Sequence, residues 1–278
     1  MSIGIATAAG VFGVGLASGV LSGMFGVGGA VLTTPGIRAL GATPIEAVGS
    51  TVPPILPGAL SGTVRYSRAG LVNWRVGVVC GLAGTVLAVA GAWISDSVDG
   101  HLLMVATALL LLYTGLSTLT QVRRHRHVPI EAEGPEADLE RDGNLALRTA
   151  ATRVHPFGQL VAAGAGAGAL AGLLGLGGGV VMMPVFTRIL RIPMKVAVAT
   201  SLVAVAMFSV PALVTHAALG HINWAYSLLL VAGTVPGAQI GSKITLGASD
   251  RTIQTLFGLF LTVLALVYGT VEASAFLG

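Results

Sequence analysis

The chain has 278 residues, of which 54% are hydrophobic and 9% are charged, and its mean hydropathy is +0.87. A soluble domain typically carries about 25% charged residues, so this chain has too little polar surface to cover a globule in water. The composition excludes a soluble enzyme and a nucleic-acid-binding domain. Cys80 is the only cysteine, which excludes a disulfide scaffold. The formal net charge of +4 is typical of a membrane protein with cationic cytoplasmic loops.

The charged residues are segregated along the chain. The first uncharged run covers residues 4–37, and further runs cover residues 47–64, 76–95, 100–122, 154–187, 196–242 and 252–271. A helix needs about 20 apolar residues to cross a bilayer, and continuous rather than alternating hydrophobicity argues against a membrane barrel. The sequence therefore predicts an all-α, multi-pass protein of the cell membrane.

The chain repeats itself at a spacing of 149 to 150 residues. Glycines at positions 15, 19, 23, 26, 28 and 29 recur at positions 164, 168, 172, 175, 177 and 178. Asn73-Trp74 recurs as Asn223-Trp224. We predict two homologous repeats, residues 1–122 and 155–278. Residues 123–154, with six arginines and six acids, cannot bury enough apolar area to order themselves and are predicted to be a solvated linker.

Each predicted repeat contains four apolar blocks. They cover residues 4–40, 44–60, 74–94 and 101–120 in the first copy and residues 157–190, 193–218, 224–246 and 252–271 in the second. Pro44 and Pro193 suit the first turn of a helix, and Trp74 and Trp224 suit an interfacial anchor. Glycines spaced four apart in the first blocks favour close helix packing, either inside one chain or at the seam of a homodimer.

The length of the first uncharged run, 34 residues, decides the predicted topology. As one straight helix it would measure about 50 Å, whereas the hydrocarbon core is about 30 Å thick. The glycine-rich segments 26–29 and 175–179 should break it into a re-entrant hairpin. Each repeat then crosses the membrane three further times. Because three is an odd number, the second repeat starts on the opposite side of the membrane and is inverted relative to the first. In this topology 14 of the 15 cations lie on one side, and only Arg38 lies on the other. If all eight blocks crossed, the split would be 9 to 6. We predict inverted repeats with a cytoplasmic linker.

The two glycine-rich breaks are the candidate binding site. Non-helical backbone is tolerated inside a membrane where it lines a cavity, and a helix N-terminus offers unpaired N–H groups to an anion. The candidate residues are Gly28, Gly29 and Ala30 in the first copy and Gly177, Gly178 and Gly179 in the second. The alternative is that these glycines only permit tight turns and packing.

Further candidates lie in the following blocks. Ser50 and Thr51 align with Thr200 and Ser201 as hydroxyl pairs that could line the same region or bond back to their own helices. Arg65 and His216 could attract an anion at the mouths of the pathway, or could be an ordinary loop arginine and an interfacial histidine.

The acids outside the linker are all at block ends, so no carboxylate is predicted inside the membrane to relay protons or bind a cation. A small anion is therefore the expected substrate. No His/Cys cluster has metal spacing, and no cofactor is expected.

The segment Ser22-Gly23-Met24-Phe25-Gly26-Val27-Gly28-Gly29-Ala30 before Pro35, and its second copy at residues 171–179 before Pro184, resemble the TauE/SafE sulfite-exporter family of membrane permeases. The stretch Ala197-Val198-Ala199-Thr200-Ser201 also resembles that family. Ala30 departs from it, because the first repeat usually has a third glycine there. The resemblance implies transport of small sulfur-containing anions such as sulfite and organosulfonates. An anion channel and a membrane scaffold that does not transport remain alternatives.

Overall fold

The computed structural model describes residues 4–96, 100–124, 145–174 and 178–277, and all regular structure in these ranges is helical. The main helices are α1 (Ile5–Phe25), α2 (Ala30–Ala39), α3 (Pro44–Thr51), α4 (Ile55–Arg68), α5 (Trp74–Asp96), α6 (Gly100–Arg124), α7 (Phe157–Leu174), α8 (Gly178–Pro184), α9 (Met194–Ala218), α10 (Trp224–Gly247) and α11 (Asp250–Leu277). A π-helical turn over Val185–Ile189 continues α8.

Six of the described helices are long and apolar enough to cross a membrane, namely α1, α5, α6, α7, α9 and α11. This finding confirms the predicted all-α, multi-pass class. Trp74 and Trp224 begin α5 and α10, and both indole side chains are exposed, as a bilayer-interface anchor requires.

The first apolar block folds into a hairpin of unequal arms. A Cβ added at Gly10 would lie 3.1 Å from the Leu40 side chain, and one added at Gly36 would lie 2.6 Å from Val14. Helix α2 therefore runs back along α1 and ends near the level of Gly10. At about 1.5 Å per residue, α1 is about 31 Å long and α2 about 15 Å, so the chain turns deep in the protein and returns only part of the way.

The second apolar block of the first copy is not one helix, as residues 44–60 were predicted to be. Pro44 occupies the first turn of α3, and Thr43 and Glu46 form a capping box before it. The Thr43 hydrogen bonds hold the pKa of the Glu46 carboxyl below its ordinary value. Helix α3 then ends, because Pro53 and Pro54 have no N–H to continue it. The matching block of the second copy is the continuous helix α9.

Glycine stripes join the helices within the chain. A Cβ at Gly15 would lie 2.7 Å from the Leu230 carbonyl oxygen, and one at Gly19 would lie 2.8 Å from Thr234 Cα, so α1 packs in parallel against α10. A Cβ at Gly164 would lie 2.5 Å from Cys80 Cα, which places α7 against α5. These glycines therefore serve packing inside one chain, the first of the two predicted uses, and not a homodimer seam.

The packing of one copy is matched by that of the other. Helix α1 packs on α10 and α7 packs on α5, while α4 packs on α10 and α5 packs on α9. Helix α6, which closes the first copy, packs on α11, which closes the second. Each half thus supplies the surface that the other half covers.

The linker prediction needs one correction. Helix α6 extends to Arg124, and residues 145–152 form a short helix inside the segment that was predicted to be solvated. The short helix is ordered by burial of Ala151, which is 4% exposed. Residues 125–144, the centre of the predicted linker, lie outside the described residues.

The glycine stripe of α7 gives a matched pair of substitutions. A valine at Gly168 would meet the Gly84 backbone, whereas Gly166, on the same helix, has no atom within 4 Å of an added Cβ. Overpacking typically costs about 1–3 kcal/mol. We expect Gly168→Val to lower the melting temperature of the detergent-purified protein by several degrees and Gly166→Val to leave it nearly unchanged. Equal melting temperatures for both variants would contradict this packing.

Candidate functional site

The first glycine-rich break follows the end of α1. Gly26 caps α1 with φ 67°, and its N–H donates to the Ser22 carbonyl at 2.8 Å. Gly28 and Gly29 also have positive φ, at 79° and 57°. Glycine adopts this left-handed backbone without a steric penalty, and it lets the chain reverse into α2.

The second break meets the first. Residues 175–177 lie outside the described part of the chain, so the predicted site residue Gly177 is not placed. Gly178 begins α8, and a Cβ at Gly179 would lie 2.5 Å from both the Gly26 carbonyl oxygen and Val27 Cα. The start of α8 therefore rests directly on the backbone of the first break.

The carbonyl groups left unpaired at the end of α1 are satisfied by hydroxyls from other helices. Tyr66 Oη, on α4, donates to the Gly23 carbonyl at 2.7 Å. Thr245 Oγ1, on α10, donates to Met24 at 3.1 Å, and Ser201 Oγ, on α9, donates to Gly26 at 3.1 Å. The last carbonyls of any helix lack partners inside it, and a membrane offers no water to supply them.

A small cavity of about 10 Å³, the room of about one water molecule, lies beside the first break. Five hydroxyl side chains line it, together with the backbone at the start of α2. The hydroxyl residues are Ser18, Ser22, Thr33, Thr51 and Thr234, and the backbone is that of Gly28, Gly29 and Ala30. Among the described residues that line this cavity, none is charged, so the polarity that they contribute comes from hydroxyls and peptide groups.

The hydroxyl protons of Ser18, Thr33 and Thr51 around this cavity are already engaged. Ser18 Oγ donates to the Gly29 carbonyl at 2.7 Å, and Thr33 Oγ1 donates to the same carbonyl at 3.2 Å. Thr51 Oγ1 donates to Val48 at 2.9 Å and lies 3.2 Å from Thr34 Oγ1. Hydroxyl groups can rotate toward another acceptor. An acceptor that entered the cavity would compete with the Gly29 carbonyl for these donors.

The predicted hydroxyl pairs divide between two roles. Ser50 Oγ accepts from the Asn223 N–H at 2.8 Å and so holds the loop before α10. Thr200 Oγ1 accepts from the Asn73 N–H at 3.1 Å and so holds the loop before α5. Neither is among the residues that line the cavity. The single Ser201 hydroxyl proton is shared between the Gly26 carbonyl and the Val198 carbonyl of its own helix, which lies at 2.9 Å, and Thr51 donates to Val48 in the same backward direction. Only Thr51 of these four residues reaches the cavity.

The structure does not bring Arg65 and His216 to the cavity. Gly62 on α4 packs on Leu202 of α9 near the middle of both helices. Arg65 lies toward the end of α4, and its Nε is buried without a hydrogen-bond partner. His216 lies in the last turn of α9, with its Nδ1 3.3 Å from that of His221.

Four of the five lining hydroxyl residues were missed by sequence reasoning, namely Ser18, Ser22, Thr33 and Thr234. Ser18 and Ser22 are one helical turn apart and lead to the break at Gly26. Hydroxyls at that spacing, just before a glycine-rich break, were the available signal. Among the described residues, no group of three or more His, Cys, Asp or Glu side chains is placed to hold a metal ion.

The helices define a multi-pass membrane protein in which residues 22–28, at the turn of the broken hairpin, are buried. The sulfite exporter TauE/SafE family model matches residues 11–268. The chain therefore belongs to the TauE/SafE family, a family of membrane transporters.

Curated relatives agree with this assignment. The chain is 26% identical over 258 residues to the "Probable membrane transporter protein YunE" of Bacillus subtilis, an alignment that covers 90% of this chain and 93% of the relative. It is 27% identical over 252 residues to a "Probable membrane transporter protein" of Xylella fastidiosa, with 89% of both covered. It is 29% identical over 259 residues to MamO of Paramagnetospirillum magneticum, covering 86% of this chain and 40% of the relative. No solved structure matches the chain.

Removing a single hydroxyl tests how the end of α1 is stabilised. Tyr66 is fully buried, so Tyr66→Phe would leave the Gly23 carbonyl without its partner. An unsatisfied buried acceptor costs about 1–3 kcal/mol. We expect Tyr66→Phe to lower the melting temperature, whereas Tyr113→Phe, at a side chain that is 66% exposed, should not. A melting temperature that is unchanged in Tyr66→Phe would refute the role of this hydroxyl.

Proposed function

We propose that the protein is a secondary transporter that exports small sulfur-containing anions such as sulfite or organosulfonates. The anion binds near the middle of the membrane, between the two glycine-rich breaks. The observation that carries this proposal is the contact of Gly179 with the backbone of Gly26 and Val27, beside a cavity lined by hydroxyls. The family assignment supports the substrate class.

The chemistry of the cavity favours an anion over a cation. Its lining offers hydroxyl donors and the N-terminal end of α2, which carries a partial positive charge. The described lining residues include no carboxylate to hold a cation. An oxyanion accepts several hydrogen bonds at once, so it can take the donors of Ser18 and Thr33 from the Gly29 carbonyl.

The size of the cavity favours a transporter over an open channel. A space for about one water molecule is too small for an oxyanion of sulfur. The hairpin and the helices around it must therefore separate before the substrate enters. In the proposed mechanism, movement of one inverted repeat against the other exposes the site to each side in turn.

The two predicted mouth residues fit the same proposal. Helices α4 and α9 run in opposite directions past each other, because Ile55 lies with Val205 near Gly28 while Gly62 lies with Leu202. Arg65 and His216 are each near the C-terminal end of their helix. They are therefore on opposite sides of the cavity, where each could attract an anion to one entrance.

Transport by proteoliposomes tests the function and separates it from the channel alternative. The purified protein would be reconstituted and assayed for uptake of labelled sulfite, thiosulfate, sulfoacetate, taurine, sulfate, acetate and chloride. We expect saturable uptake of sulfite or a sulfonate, with counterflow when the same anion is loaded inside. Flux that neither saturates nor shows counterflow would indicate a channel instead.

A conservative substitution in the cavity tests the site. Thr33→Val removes one donor without changing the shape of the side chain, and Thr215→Val makes the same change at an exposed position of α9. A hydrogen bond to a charged group is worth about 1.5–3 kcal/mol, so we expect Thr33→Val to weaken apparent affinity about tenfold or more. Identical kinetics for both variants would remove Thr33 from the site.

Deletion of residues 132–144 tests the scaffold alternative. These residues belong to the predicted linker and to no described helix. A transporter should keep its flux without them, whereas a scaffold that presents the linker to a partner should lose its function. Loss of flux in a deletion variant that still folds would count against the proposed mechanism.

A further inference from the structure

A second and much larger cavity lies at one end of the helix bundle, away from the glycine-rich breaks. Its volume is about 500 Å³. The turn after α4, the first turn of α9, the last turn of α10 and the short helix over residues 145–152 surround it. The lining residues are Ala69, Leu71, Leu145, Leu147, Arg148, Lys195 and Leu246.

Two cationic side chains, Arg148 and Lys195, line this cavity, and the backbone near each of them restricts its position. Lys195 Nζ donates to the Leu246 carbonyl at 3.3 Å, at the end of α10. Arg148 lies against the turn after α4, where a Cβ at Gly70 would be 3.4 Å from Arg148 Nε. The two cations therefore reach the same space from different elements.

Among the described residues around the cavity, basic side chains outnumber acidic ones. Asp250 interacts with Lys195 and partly offsets its charge. Its Oδ2 already accepts the Met194 N–H at 3.1 Å. Arg68, Arg75 and Arg251 stand at the same end of the bundle, in the last turn of α4 and the first turns of α5 and α11. An anionic group is the complement of this surface.

The remaining lining is apolar, and the short helix presents part of its apolar surface to this space. Leu145 is 64% exposed. On the other side of the short helix lies another open space of about 810 Å³, lined by Leu145, Ala146, Thr149, Ala150, Thr152 and Arg153.

We propose that this cavity binds an anionic phospholipid, with the headgroup phosphate between Arg148 and Lys195 and the upper acyl chains against the leucines. The cavity lies at the ends of membrane-crossing helices, which is the depth of lipid headgroups. Trp74, at the start of α5 on this end, is 52% exposed as a residue of the aromatic belt would be. Basic pockets between membrane helices bind anionic headgroups in this way. The proposal does not depend on the transported substrate.

Lipid nanodiscs test the proposal on the full-length protein. Melting temperature would be measured in phosphatidylcholine alone and in phosphatidylcholine mixed with phosphatidylglycerol, and bound phosphatidylglycerol would be counted by native mass spectrometry. We expect phosphatidylglycerol to raise the melting temperature of the wild type. A cation near the membrane surface contributes about 1 kcal/mol, so Arg148→Gln with Lys195→Gln should weaken lipid retention roughly tenfold or more.

Two further variants control for charge and for folding. Arg251→Gln removes a cation from the same end without touching the cavity, and it should keep the full effect of phosphatidylglycerol. Arg148→Lys with Lys195→Arg keeps both charges and should keep most of the effect. Each variant is compared with its own melting temperature in phosphatidylcholine, so a change in basal stability does not obscure the result.

Two results would overturn the proposal. One is an undiminished phosphatidylglycerol effect in Arg148→Gln with Lys195→Gln. The other is equal stabilisation by inorganic phosphate in phosphatidylcholine nanodiscs, which would make the cavity a site for soluble anions. Loss of transport with normal lipid binding would bear on the proposed function alone, so the two proposals can fail separately.

Discussion

The structure depends on how a helix that ends inside the bundle satisfies its backbone. Helix α1 stops at Phe25, where its last carbonyl groups would face an apolar interior. Hydroxyls from α4, α9 and α10 donate hydrogen bonds to the carbonyls of Gly23, Gly26 and Met24. Three helices are therefore hydrogen-bonded to the backbone at one break. Such a group costs several kcal/mol when left unpaired in hydrocarbon. The surrounding helices are therefore arranged around the break, and small residues let them come close enough.

The same constraint connects the fold to the proposed transport. A break whose carbonyls are satisfied by neighbours still presents the start of α2 and a set of hydroxyls to the space beside it. In the proposed mechanism, the Ser18 and Thr33 hydroxyls that donate to the Gly29 carbonyl in the closed structure are those that an anion would use. Anion binding and opening of the cavity would then both break the same hydrogen bonds, because the anion and the Gly29 carbonyl compete for the Ser18 and Thr33 hydroxyls.

Much of this arrangement could be predicted from the sequence, because it follows from composition and spacing. The uncharged runs predicted the helices, and the glycine-rich segment predicted the break at Gly26. The break at Pro53-Pro54 was missed, since the aligned second copy is a continuous helix. The lining hydroxyls were missed because serine and threonine are common in helices, and only the fold shows which face points inward. Whether the repeats are inverted remains a prediction.

The central claim is that the cavity beside the first break must open for transport. Thr51 of α3 lines this cavity, and its Oγ1 lies 3.2 Å from Oγ1 of Thr34 on the hairpin helix α2. Thr34→Cys with Thr51→Cys, in a Cys80→Ala background, would place a disulfide there, and its formation would be verified by mass spectrometry. Because sulfite cleaves disulfides, counterflow would be measured with sulfoacetate. We expect oxidation to abolish sulfoacetate counterflow, reduction to restore it, and Thr34→Cys alone to be insensitive to oxidant. Full counterflow in the oxidised, disulfide-linked protein would contradict it.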